Sequence, residues 1–397
     1  MSRELFLEVL DRGIEDARVA FDASGQRYVV GRGPAAGGED GCAVRVKVHD
    51  PRFFRRVLAQ GNLGLGESYM SGGFTIEEGS LEELLEILLR NKLDRKLKQR
   101  PLLVLRLLLL RLADNLRGKA HNVQRHYDVG DDLFQAFLDS SLTYSCGYAE
   151  DPGDDLETLQ KNKLDRICRK LRLEEGDRLL DVGCGFGGLL IHAAKHYGAR
   201  ATGVTISKRH AAHGRERAAE EGVADRVRIE YADFNEISGT YDKVVSVGMM
   251  EHVPRREYGR YFSRIAEVLA PRGLGLVHTI GANAPKNEHD PFIQKYIFPN
   301  SNQPQLSEIT RGLESHGLAI LDVENMIRHY GYTARRWLEN FRRNRDGLDP
   351  DRYDDVFKRM WEYYLCCAVA GGFASDAALY QVLFTNDHTA PMPLHRV

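Results

Sequence analysis

The sequence predicts an α/β protein whose main body is a parallel sheet with helices on both faces. From about residue 121 onward the strand-like runs DRLLDVG, ARATGVT, VRIEYAD, YDKVVSVG and GLGLVHTIG alternate with helical segments. Right-handed crossovers turn that alternation into a parallel sheet. The first of these runs ends in LLDVGCGFGG, with glycines at 183, 185, 187 and 188, before a renewed apolar run, LLIHAAKHYG. This is a buried strand, a tight turn and a helix start, a unit whose backbone N–H groups can face a bound ligand. Length sets the scale: 397 residues, 43% hydrophobic and 28% charged, are enough for two or three domains and a sizeable core.

In chain order, residues 1–90 read as a smaller α+β domain. Its opening, MSRELFLEVLDRGIEDA, carries acids inside an apolar pattern and has no signal-peptide core. RYVVG and CAVRVKVHD alternate like half-exposed strands on either side of GRGPAAGGEDG. Two helical stretches, DPRFFRRVLAQG and SLEELLEILLRN, then flank an expected loop containing glycines 61, 64, 66, 72 and 73. Residues 91–120 form a basic, leucine-rich connector. Its most apolar stretch, PLLVLRLLLLRLA at 101–113, is interrupted by Arg106 and Arg111, short of the roughly 20 apolar residues of a membrane span. The connector suits either a packed helix with a solvated charged face or a surface meeting anionic headgroups. Residues 121–397 make the catalytic domain.

The bulk numbers narrow the function. A net charge of −2 gives no case for nucleic acid. Six cysteines with no CxxC and no paired spacing suggest reduced thiols in a cytoplasmic protein, without a structural metal.

The acid before the first glycine selects the cofactor. A dinucleotide fold uses GxGxxG to seat a pyrophosphate, whereas here Asp181 precedes GxGxGG. A carboxylate there repels phosphate and suits a cationic amino-acid cofactor, which favours S-adenosylmethionine (AdoMet) over NAD. Ligands of such sheets collect at the strands' carboxyl ends, and four further groups stand there. Thr205, Ser207 and His210 follow the second strand and suit a ribose or amino-acid group. Asp233, after Ala232, suits an adenine amino group. Glu251 and His252 end the fourth strand, and His278 and Ile280 the fifth. Upstream, Tyr127, Tyr144, Ser145 and Cys146 lie in a segment placed to fold over the cofactor.

The blocks HYDVGDDLF, LTYSCGYAED, LLDVGCGFGGLLIHAA, GVTISKRH, VVSVGMMEHVP, LVHTIGANAPKNEHDPFIQKYIFPN and HYGYTARRW resemble those of cyclopropane-fatty-acyl-phospholipid synthases, including their mycolic-acid relatives. The resemblance runs from about residue 121 to 390. It implies a class I AdoMet-methyltransferase sheet with added helices forming an acyl tunnel. The implied activity is methyl transfer from AdoMet to the cis double bond of a phospholipid acyl chain, then loss of a proton from the new methyl group and ring closure. Implied cofactor contacts are Tyr127, Tyr144, Ser145, the turn Leu180, Asp181, Val182, Gly183, Cys184, Gly185, Phe186, Gly187 and Gly188, then Thr205, Ile206, Ser207, His210, Ala232 and Asp233. The family's bicarbonate ion, a general base, would be held by Cys146, Glu251, His278, Ile280 and Tyr330. Tyr330 is chosen over Tyr332 by its spacing to Trp337. The family's C-terminal cysteine falls at Cys366 or, as the better match, Cys367, with a structural or tunnel-lining role. His210 stands where the family carries Gln, which implies altered cofactor affinity with activity retained. Further implications are a homodimer and peripheral association with the inner face of the membrane. Rival readings are methyl or methylene branching of acyl chains, a small-molecule methyltransferase, and a lipid-binding protein with a degenerate site.

Overall fold

The computed structural model describes residues 2–93, 96, 129–283 and 290–389. Most of the basic connector, Tyr127 and residues 284–289 lie outside these. The chain divides into two compact units, one of Met1–Ala136, Asp290–Pro299 and Leu338–Ser375, the other of Phe137–His289, Asn300–Trp337 and Asp376–Val397. These units are discontinuous in sequence: two later segments group with the N-terminal part.

The first unit contains a four-stranded sheet ordered β2-β1-β3-β4, with β1 at Val19–Ala23, β2 at Gln26–Val30, β3 at Val44–Val48 and β4 at Phe74–Glu78. β1 pairs antiparallel with β2 and parallel with β3. Its core is aromatic: Phe6 packs on Phe21, Phe53 and Phe54, with ring centroids 5.3, 5.7 and 5.2 Å away. Edge-to-face pairs of this kind add to the burial of the rings themselves.

One expectation fails here. The stretch read as a glycine loop holds a helix, Asn62–Met70. A Cβ on Gly64 would lie 2.4 Å from the Arg56 carbonyl oxygen, and one on Gly66 2.4 Å from the Phe292 ring. These glycines serve close packing and do not break the helix. Ser80 caps the next helix, Leu81–Arg90, by accepting from the Glu83 N–H. Of the connector's bases, Lys96 donates to the Gly13 carbonyl and pairs with Glu15, each at 2.8 Å.

The second unit is built on seven strands ordered β10-β11-β9-β8-β5-β6-β7. Their ranges are β5 Arg178–Val182, β6 Arg200–Thr205, β7 Val227–Tyr231, β8 Tyr241–Val247, β9 Leu269–Ala282, β10 Ala319–Asn325 and β11 Ala377–Thr385. The five strands expected from the sequence are parallel where they pair. The sheet as a whole is mixed, because β11 runs antiparallel to both β9 and β10. β11, AALYQVLFT, is buried along nearly its whole length. A strand covered on both faces loses the alternation that marks a half-buried one.

Alternation assigns the β5 and β8 side chains to two cores, one per face. Leu180, Val182 and Val244 join Tyr261, Phe262 and Ile309. Leu179 and Val245 join Ile167, Leu190 and Leu276 on the other side. Among the described residues no helix is long and apolar enough to cross a membrane.

Candidate active site

The glycine turn leaves β5 and enters the helix Gly188–Tyr197. Gly183 has φ +88°, and a Cβ there would lie 2.8 Å from the Met249 side chain. Gly185 also has positive φ, but the space where its Cβ would stand is open. Leu180 and Val182 point into the core and offer a ligand only backbone. Cys184 is buried in the opposite core.

Asp181 is the exception in this turn. It is 3% exposed, and its Oδ1 has no hydrogen-bond partner among the described residues. Burial pushes its carboxyl up to about 7, against the opposing pull of the Lys163 ammonium. Lys163 is itself 1% exposed and brought down to about 8 by burial. Its Nζ donates to Ser145 Oγ at 3.1 Å. One helical turn earlier, Gln160 Nε2 donates to the Ser145 carbonyl at 2.8 Å. The segment Tyr144–Cys146 is thus held by polar side chains from the helix Leu156–Lys170.

The next two strand ends carry the other expected cofactor residues. Thr205 is buried, whereas Ile206 is 76% exposed, unusual for an isoleucine. Ser207 caps the helix Lys208–Glu220 by accepting from the His210 N–H at 3.2 Å. The His210 ring packs on Phe186 of the glycine turn, centroids 4.1 Å apart. At the end of β7 the Ala232 N–H donates to the Thr205 carbonyl. Asp233 heads a capping box in which its Oδ1 accepts from the Asn235 N–H at 2.9 Å.

The last two parallel strands bring three of the five expected anion ligands, Glu251, His278 and Ile280, onto adjoining segments. After β8 a short turn, Met250–His252, carries Glu251, 6% exposed. Its Oε2 accepts from Thr279 Oγ1 at 2.7 Å and its Oε1 from the Ile280 N–H at 3.4 Å. Burial raises its carboxyl above the ordinary range. His278 is 2% exposed, and its Nε2 has no partner among the described residues. Burial, with Lys163 and Lys170 nearby, holds the imidazole well below its usual value, so it is neutral.

Ile280 and Tyr330 pack in one cluster with Cys146, Met326 and Leu379. Cys146 is fully enclosed, and its thiol, pushed up to about 12, is not a nucleophile. Tyr330 lies on the helix Ile327–Asn344, with its ring edge-on to Trp337 at 5.9 Å. Tyr144 and Phe137 also pack on that indole. Cys367 belongs to the first unit, on the helix Asp355–Ala374, where its sulfur accepts from Asn62 Nδ2 at 3.8 Å. Burial raises that thiol as well.

Sequence reasoning missed Lys163, Gln160, Thr279 and Gln381. A signal existed for the first two. Gln160, Lys163 and Lys170 recur at helical spacing on the buried face of Leu156–Lys170, where a polar residue needs a buried partner.

Comparison with known proteins agrees with this architecture. A profile of the mycolic acid cyclopropane synthetase family matches residues 114–382. The chain is 40% identical over 345 residues to the cyclopropane-fatty-acyl-phospholipid synthase of Escherichia coli, covering 86% of this chain and 87% of the relative. It is 35% identical over 375 residues to tuberculostearic acid methyltransferase UfaA1 of Mycobacterium tuberculosis, covering 89% and 86%. The crystal structure of mycolic acid cyclopropane synthase CmaA1 with SAH and CTAB matches with a TM-score of 0.61 at 28% identity, over 66% of this chain and 97% of that one. The glycine turn, the acid at its head and the polar strand ends therefore belong to a class I AdoMet-dependent methyltransferase, and the chain is a member of the mycolic acid cyclopropane synthetase family.

Proposed function

We propose that this enzyme transfers a methylene group from AdoMet to the cis double bond of phospholipid acyl chains and closes a cyclopropane ring. The observation that carries the reading is that Cys146, Ile280 and Tyr330 share one cluster, that Glu251 accepts from the Ile280 N–H, and that His278, two residues back along the same strand, has a buried Nε2 without a partner among the described residues. The Escherichia coli relative named for this reaction, similar over most of both chains, supports it.

An alkene needs no deprotonation before attack. Its π pair bonds to the methyl carbon as the carbon–sulfur bond breaks, and the positive charge moves to the acyl chain. The site must align the sulfonium, exclude water and accept a proton from the new methyl group. The rings of Phe137, Tyr144 and Tyr330 pack around Trp337, and aromatic faces beside the reacting carbon would stabilise a transient cation. Cys146 supplies bulk and dryness, not a nucleophile.

A bicarbonate ion fits the residues present. His278 has an unpartnered buried Nε2, and the Ile280 N–H is held only at 3.4 Å by Glu251. When bound, bicarbonate supplies the base for the departing proton. Glu251, raised by burial, can keep a proton and face an anion without repulsion. Cys146, Glu251, His278, Ile280 and Tyr330 are the proposed ligands. The bilayer surface is the proposed partner, with the enzyme peripheral to it and dimeric.

Glu251→Gln tests the assignment. AdoMet affinity should stay within about twofold while turnover falls by at least about 10²-fold, the usual scale of acid–base contributions. A variant near the wild-type rate would contradict it. A second reading is favoured by the 35% identity to a tuberculostearic acid methyltransferase. The same cation yields a branched alkene instead of a ring if a neighbouring chain carbon loses the proton, or if a 1,2-hydride shift precedes loss of the methyl proton.

A further inference from the structure

His278 ends a buried polar row that the sheet register creates. Across the three adjacent strands β10, β11 and β9, Glu324 stands opposite Gln381 and Gln381 opposite His278. Gln381 is fully buried. Its Nε2 lies 3.1 Å from His278 Nδ1, and its Oε1 accepts from Lys170 Nζ at 2.8 Å. Lys170 also donates to Glu324 Oε2 at 2.6 Å, and Arg166 grips the same carboxylate with contacts of 2.8–3.1 Å.

The chemistry of the donors leaves one arrangement. An ammonium can only donate, so the Gln381 carbonyl oxygen must face Lys170. The amide nitrogen then faces His278 and can only donate, so Nδ1 must present its lone pair. A neutral imidazole with a bare Nδ1 carries its proton on Nε2, the atom that has no partner among the described residues. We propose that Gln381 is a positioning residue that locks His278 as the neutral Nε2–H tautomer, making it a hydrogen-bond donor to the site and not a base.

The charges around the ring agree. Lys163 and Lys170 on the helix Leu156–Lys170 both oppose a second proton. Glu324 on β10 is neutralised by Arg166 and Lys170. Glu251, on the turn after β8, is engaged by Thr279 and Ile280. The lock follows from the protein alone. What the Nε2–H meets, an anion such as bicarbonate, rests on the function proposed above.

Nitrogen-15 NMR of full-length protein labelled at histidine tests this. His278 should show a bare Nδ1 and a protonated Nε2, unchanged from about pH 8 to about pH 5.5, where free imidazole would titrate. A protonated Nδ1, or titration in that window, would overturn the lock. In Gln381→Glu a carboxylate faces Nδ1 and should draw a proton there. The spectrum should then change, and an ionisation should enter the pH–rate profile in the neutral range, with kcat lower by roughly tenfold or more and AdoMet affinity held within about twofold. Gln381→Leu, which introduces no new charge, should give a mixture of the two neutral tautomers. A wild-type spectrum in both variants would also overturn the proposal. Adding bicarbonate to the wild type separates the two ideas. A shifted Nε2–H resonance supports the anion reading, and an unmoved one counts against that reading while the lock stands.

Discussion

Asp181 shows how one buried group in the proposed cofactor site bears on the stability of the whole protein. Its carboxyl titrates at about 7 in the folded chain, far above an unfolded carboxyl, because burial penalises the charge more than Lys163 relieves it. The folded state therefore holds an extra proton between about pH 4 and about pH 7. The protection is complete below about pH 4 and is lost as pH rises through 7, amounting to of the order of 4 kcal/mol. Asp181→Asn removes this dependence, so the variant should gain stability relative to wild type across that window. Melting profiles that stay parallel would contradict it. Cationic AdoMet favours the ionised carboxylate, so its affinity for the wild type should rise with pH up to about 7 and flatten in Asp181→Asn, as calorimetric titration would show. His210 acts more locally. Its ring rests on Phe186, and aromatic pairs contribute about 0.5–1.5 kcal/mol. His210→Ala should weaken AdoMet binding by roughly two- to tenfold and leave kcat unchanged; a collapse of kcat would give the imidazole a larger role than packing.

Glycines within an element can serve packing as well as turning, and the helix Asn62–Met70 is the clear case. On propensity alone Gly66→Ala gains up to about 1 kcal/mol. The Phe292 ring, 2.4 Å from the new Cβ, and Tyr363, 2.8 Å away, reverse the sign. The substitution should cost about 1–3 kcal/mol in urea denaturation, and a stabilised variant would refute the packing account. The same helix shows where the sequence is hard to read: glycines that fit against neighbours look, in one dimension, like glycines that break a helix. The parallel strands were legible because each ends in a turn and feeds a helix. β11 was not, because it is buried on both faces and strand direction leaves no mark in composition. The candidate site residues at strand ends, Asp181, Glu251 and His278, are read from topology alone. Gln381 cannot be, because its importance depends on a three-strand register that only the folded sheet sets. Lys163 lay between these cases, a charged residue at an apolar helical position.

At the scale of the molecule, the second unit carries the glycine turn and all five polar strand ends, while a four-stranded sheet and a helix bearing Cys367 belong to the first. The family relation spans both, since the Escherichia coli relative is similar over 86% of the chain. The central claim is that this architecture converts an acyl double bond into a ring. The most direct test is to incubate the purified protein with AdoMet and vesicles of unsaturated phospholipid, and to analyse the lipids by mass spectrometry and proton NMR. The account predicts a mass gain of one CH2 per modified chain, with olefinic signals replaced by upfield cyclopropane signals. The same gain with vinylidene signals would transfer the assignment to methylene branching, and no gain despite intact AdoMet binding would contradict an acyl-chain substrate altogether.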